Sequence, residues 1–188
     1  ETMTELIEYY KGIFTILSSC ASRQLEEVTF RRTVIPVQEL LDAAGKYFKK
    51  LMKNRSERIE LEIEPMEAKV IGDVNQLRFL LENLIDEALT VREDGVIRLQ
   101  ARKDNEYIRF LFTDTRREKS VEELNQLFYP NLARMTSGEK GELRGTEYLV
   151  CKQIIRDHDE FAGRRGCRIN AEPAEGGGFT VYFTIPRR

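Results

Sequence analysis

The chain has 188 residues, with 30 Lys+Arg against 32 Asp+Glu, one His and a formal net charge of −2. Hydrophobic residues make up 41%, which supplies a core and excludes a disordered chain; the balanced charge excludes the basic excess of a dedicated nucleic-acid binder. No apolar run reaches the ~18–20 residues of a membrane-spanning helix, and a single histidine excludes multi-His metal sites. Cys20, Cys151 and Cys167 are odd in number and lack CxxC spacing, so they read as reduced thiols of a cytoplasmic protein. Because the chain begins with Glu1, it is expected to be a segment of a longer protein.

Thr4 to Val28 reads as one long helix. Ile7, Phe14, Ala21 and Val28 recur every seven residues, flanked by Leu6, Ile13 and Cys20. Such a face serves either dimerisation or packing on its own domain. A second unit begins near Phe30. Thr33 to Val37 is a short strand with Pro36 at its edge, and Val37 to Lys53 is a helix with Leu40, Leu41, Ala44, Phe48 and Leu51 on one side. Arg58 to Glu64 alternates polar and apolar, the mark of a half-buried strand, and Ala68 to Ile71 adds a short one. Asp73, a preferred N-cap residue, opens a strong helix reaching Thr90.

Val96–Ala101 and Tyr107–Phe112 form a hairpin around Asp104-Asn105. Ser120 to Phe128 is a short helix with Glu122 and Glu123 in its first turn. Asn131 to Leu143 is polar and loop-like, and Gly145 to His158 is helical. Arg168–Ala171 and Phe179–Ile185 are strands joined through Gly176-Gly177-Gly178. The predicted fold class is α+β: a two-layer sandwich of a mixed, mainly antiparallel sheet with helices on one face, preceded by the long N-terminal helix.

The helix opened by Asp73 is the most informative element. Leu77, Leu80, Leu81, Leu84, Ile85 and Ala88 make one apolar stripe, while Gln76, Phe79, Asn83, Glu87 and Thr90 share a flank. Asn83 and Glu87 lie one turn apart. Their amide oxygen and carboxylate can share a hard cation such as Mg²⁺, or simply form a solvated polar face. His158 follows Ile154 and Ile155 on an apolar face and reads as a buried structural residue.

The order of these segments resembles the catalytic ATP-binding domain of sensor histidine kinases, of the GHKL (Bergerat-type) ATPase superfamily. Gly72-Asp73 through Leu89 is similar to the kinase N-box. Phe112-Thr113-Asp114 stands at the first glycine box, Gly145 through His158 at the helix after the second, and Glu175 through Pro186 is similar to the C-terminal strand. The resemblance implies ATP with Mg²⁺ as cofactors. It places Asn83 at the Mg²⁺ ligand, Asp114 at the carboxylate that accepts from the adenine amino group, and Gly145 where backbone approaches phosphate. Glu87 stands at a second position on the N-box helix. It divides the chain into residues 1–29, the end of a dimerisation helix, and residues 30–188, the ATP-binding domain. It implies a homodimer through the N-terminal helix and a response-regulator partner, while the balanced charge and the lack of a long apolar run imply no nucleic-acid contact and no membrane contact in this segment.

Departures from the family pattern are concentrated at the glycine boxes. The first reads Asp114-Thr115-Arg116-Arg117-Glu118, with charged residues for both glycines; the second reads Leu143-Arg144-Gly145-Thr146-Glu147 and keeps one glycine of three. Phe79 replaces a polar residue one turn before Asn83. Arg116 is a candidate partner for a phosphate, and the cations of the lid segment 116–144 form either a phosphate-attracting flap or a soluble loop. Two functions follow. One is a module that binds ATP·Mg²⁺ for phosphoryl transfer to a histidine outside this chain. The other is a degenerate module that lost nucleotide binding and acts as a protein-interaction domain in a signalling dimer. Nucleotide is excluded if Arg116, Glu118, Phe79 or Glu147 fills the pocket between the Asp73 helix and the lid.

Overall fold

The computed structural model describes residues 3–5, 7, 11, 30–130, 136–137 and 143–188. The helix expected over Thr4–Val28 and most of the polar segment Asn131–Leu143 therefore lie outside the described residues. Strand β1 (Thr33–Pro36) pairs antiparallel with β3 (Lys69–Gly72). Pro36 ends β1 with φ −62° and serves as the N-cap of helix α1 (Val37–Met52), a position where its missing N–H costs no helical bond. Val37, Leu40, Leu41, Ala44 and Phe48 form the buried stripe of α1.

The main sheet runs in the order β2 (Ile59–Ile63), β4 (Gly95–Asp104), β5 (Tyr107–Asp114), β9 (Phe179–Pro186), β8 (Ile169–Pro173). Only the β2–β4 pair is parallel. This is the predicted mixed, mainly antiparallel sheet. Helix α2 (Val74–Ala88) links β3 to β4 and packs against α1 and against α4 (Glu147–Phe161). Period-two alternation in β5 buries Ile108, Phe110, Phe112 and Asp114 while Tyr107, Arg109, Leu111 and Thr113 stay half-buried. Phe110 faces Phe183 across the β5–β9 register, and their rings stack 4.8 Å apart.

β4 and β5 run past the predicted hairpin ends, because backbone pairing continues where the apolar alternation stops, at Arg102 and Lys103. Asn105 takes φ 54° in the tight turn. The segment read as a loop also holds a two-residue pairing between β6 (Thr136–Ser137) and β7 (Leu143–Arg144). Helix α3 (Val121–Asn125) opens with a capping box: Ser120 Oγ accepts from Glu123 N at 3.1 Å, and Ser120 N donates to Glu123 Oε1 at 3.2 Å. Ser120→Ala is expected to lower stability by about 1 kcal/mol in urea unfolding, with Ser120→Gly costing less.

Cys151 and Cys167 are buried thiols outside any disulfide, and burial with Asp159 nearby pushes the Cys167 thiol up to about 12. No helix among the described residues is long and apolar enough to cross a membrane.

Candidate functional site

Asp73 joins three parts of the chain at the start of α2. Its Oδ1 accepts from Asn75 N at 3.0 Å and Gln76 N at 3.2 Å, and its Oδ2 accepts from Arg31 N at 3.0 Å. The first two bonds satisfy N–H groups that the helix start leaves open, and the third ties the segment before β1 to it. The backbone N–H of Asp73 donates to His158 Nε2 at 3.1 Å, while His158 Nδ1 donates to Ile154 O at 2.8 Å. With one nitrogen accepting and the other donating, the ring is neutral. It is fully buried, packed edge-on by Phe30, and burial lowers its pKa to about 4. A Cβ on Gly72 would lie 2.8 Å from that ring, so the residue before Asp73 has to be glycine. The lone histidine thus pins α4 to the start of α2.

Nearly three turns along α2 from Asp73, Asn83 is buried and its Nδ2 donates to Phe79 O at 2.8 Å. Tying down the amide nitrogen leaves Oδ1 as its acceptor. Phe79 is 43% exposed on the same flank. Glu87 lies 3.7 Å from Arg117 Nη1. Gly145 sits two residues before α4 with φ 83°, a left-handed conformation suited to glycine.

Asp114, the last residue of β5, is the centre of a buried network. Its Oδ1 accepts from Arg116 N and Arg116 Nε, both at 3.0 Å. Its Oδ2 accepts from Arg116 Nη2 at 3.0 Å and Arg117 Nε at 3.3 Å. Those four contacts use the roughly four lone-pair directions of a carboxylate. The Arg116 guanidinium reaches on to Ala88 O at 2.6 Å, Val91 O at 3.1 Å and Glu93 O at 3.0 Å. All five of its N–H groups are therefore taken. The two side chains are only 1% and 2% exposed. Ala88, Val91 and Glu93 lie at the last turn of α2 and in the connection to β4, where helical carbonyls have no intrahelical donor. Gly95 makes room for this: a Cβ there would lie 2.5 Å from Arg116 Cγ.

Arg116, expected as a phosphate partner, thus directs its donors within the chain, and Arg117 bridges Asp114 to Glu87 and lies over the Phe179 ring. The local signal for this arrangement was an arginine two residues after an aspartate, where an Asp side chain accepts from the backbone N–H two residues on. The carbonyls of Ala88, Val91 and Glu93 carried no such signal. Among the described residues, no group of three or more His, Cys, Asp or Glu is placed to hold a metal ion. Two cavities, of about 500 and 370 Å³, lie at the far end of the hairpin, one lined by Tyr107, Arg109 and Tyr182, the other by Lys103 and Arg187. β5 separates that end from Asp114 by roughly 24 Å at ~3.4 Å per residue.

The site thus consists of a mixed five-stranded sheet backed by helices, with an acidic residue ending its central strand beside the C-terminus of the helix that carries Asn83. The chain belongs to the histidine kinase-, DNA gyrase B- and HSP90-like ATPase family, whose model matches residues 72–188. It is similar in structure to the nucleotide-free catalytic domain of histidine kinase ThkA, at 21% identity and TM-score 0.63 over 84% of this chain and 97% of that one. It is similar to the mycobacterial sensor histidine kinase MprB, at 19% identity and TM-score 0.63 over 84% and 99%. ThkA in complex with the response regulator TrrA matches at 20% identity and TM-score 0.65, over 100% of this chain and 52% of that one. No curated protein sequence matches the chain. At these identities the likeness shows the fold.

Proposed function

We propose that this chain keeps the histidine-kinase ATPase fold as the interaction half of a signalling dimer, with its adenine position closed by Arg116. The observation that carries this reading is the saturation of Asp114 by the Arg116 fork and Arg117. A purine amino group needs a free carboxylate oxygen there. To gain one it would displace buried charge-assisted hydrogen bonds and leave a guanidinium without its counter-ion, which is strongly unfavourable. Of the residues the family resemblance assigns to ATP·Mg²⁺, Asn83 retains an oxygen for a cation, Glu87 faces Arg117, and Gly145 retains the backbone freedom of a phosphate-approaching glycine. The adenine end of the nucleotide does not fit, so no phosphoryl-transfer step is assigned to these residues.

On this reading residues 1–29 form the dimerising part, residues 30–188 the interaction domain, and the partner is a cytoplasmic response regulator. The complex of ThkA with TrrA supports a partner of that kind for a chain of this fold. Calorimetric titration with a non-hydrolysable ATP analogue and Mg²⁺ tests the closed site. No saturable heat is expected at millimolar nucleotide. Micromolar binding that disappears in Asn83→Ala and in Asp114→Ala would overturn the proposal and restore the catalytic reading.

A further inference from the structure

We infer that the Asp114 pocket is an all-acceptor cage for a guanidinium cation, with Arg116 as its tethered ligand. The inference deepens the proposed closure of the adenine position and rests on it. The cage is made of Asp114 Oδ1 and Oδ2 with the carbonyl oxygens of Ala88, Val91 and Glu93. These five oxygens receive the five N–H groups of one planar group, at 2.6–3.1 Å. Each is an acceptor only, so the ligand that matches is one that only donates, is flat and carries one positive charge.

Adenine fails that requirement for a reason separate from Arg116 being in the way. Its exocyclic amine donates, but its ring nitrogens accept, and they would face carbonyl oxygens here. Shortening Arg116 therefore opens the cage to a guanidinium without making it a nucleotide site. Specificity follows from buried polar groups, since a ligand that leaves a carbonyl or the carboxylate unmatched costs the full desolvation of that group. The tight passage past Gly95 and the backbone N–H of Arg116 on Asp114 fix the entry of the stem, so the cage and its occupant are positioned as a unit.

The test is chemical complementation. Arg116→Ala removes the Cγ, Cδ and guanidinium atoms, which together are ethylguanidinium. The variant is expected to melt about 10 °C below the parent, from the loss of a buried ion-pair partner in a domain of this size. Millimolar ethylguanidinium is expected to raise that melting temperature saturably. Ethylammonium, urea and ATP·Mg²⁺ at matched concentration are expected to leave it unchanged. If Arg116→Ala does not fold alone, recovery of folded protein on dilution from denaturant into ethylguanidinium is the readout, and failure to recover there alone overturns the inference. The double variant Asp114→Asn, Arg116→Ala removes the carboxylate of the cage together with its ligand, leaves Arg117 beside the site, and is expected to ignore ethylguanidinium.

Parent-like melting of Arg116→Ala, equal rescue by ethylammonium, rescue by ATP·Mg²⁺ in place of ethylguanidinium, or a response of the double variant would each overturn the cage. The parent protein in the same series separates the two levels: ATP·Mg²⁺ binding to the parent breaks the proposed closure itself, whereas an ATP-blind parent with an unrescued variant breaks only the guanidinium assignment.

Discussion

Lowering the pH from about 7 to about 4 is expected to remove about 3 kcal/mol of stability from this domain, with His158 as the cause. The ring is neutral and fully buried, accepting from Asp73 N and donating to Ile154 O. Its folded pKa of about 4 lies below the ordinary 6.5, chiefly because burial disfavours the charged form; the Ile154 bond and the Asp73 charge pull weakly the other way. Between those two values the unfolded chain binds the proton and the folded chain does not. The contribution is therefore complete above about pH 6.5 and is lost as pH falls toward 4. The measurement is the urea midpoint as a function of pH, with ring proton resonances alongside, which need no assignment in a chain with one histidine. A ring that titrates near 6.5 in the folded protein would contradict the expectation. His158→Leu is expected to flatten the pH dependence over that window while lowering stability at neutral pH, since Asp73 N loses its acceptor.

Gly178→Ala is expected to cost about 3–5 kcal/mol, and Gly176→Ala only about 1–2, although both lie in the same glycine run at nearly the same φ. Gly178 has φ 85°, and a Cβ there would lie 2.1 Å from Asp114 O and 2.7 Å from Thr115 Cα. Both neighbours are backbone, so neither can swing away. Gly176 has φ 86° with nothing within 4 Å of its Cβ position, which leaves only the left-handed penalty. Gly178 precedes Phe179, the register partner of Asp114, so the clash falls on the strand end that presents the carboxylate to Arg116. The contrast between the two variants in thermal unfolding checks the argument; equal losses would show that φ strain alone decides. The Gly178 variant is also expected to expose the amide of Arg116 to hydrogen exchange.

How far the fold could be read in advance depended on the range of each interaction. The stripe of Leu77, Leu80, Leu81, Leu84 and Ile85 and the alternation through Phe110 and Phe112 are local patterns, and both elements stand where those patterns put them. The C-terminal strand and its glycine run are likewise local. The pairing of β1 with β3 and the parallel meeting of β2 with β4 are not, because each joins segments separated by a whole helix. At the site, Asn83 and Glu87 fall on one flank of α2 as their spacing requires, and the buried histidine could be inferred from the apolar residues around it. Its partner, the amide of Asp73, is 85 residues away and had no sequence mark. Arg116 was visible as a charge where a glycine was expected. Its destination was not, because three of its five acceptors are main-chain carbonyls, and every residue type carries one.

The five guanidinium hydrogen bonds of Arg116 have a consequence for what can regulate such a domain. A ligand attached to its own chain has an effective concentration set by the geometry of two intervening peptide bonds, and no change in the surroundings dilutes it. A domain that must capture a free nucleotide is ordered in proportion to supply. On the reading proposed here, this one is ordered as soon as it folds. Its output then tracks the number of copies made and the partners present, and it carries no measure of the cell's energy state.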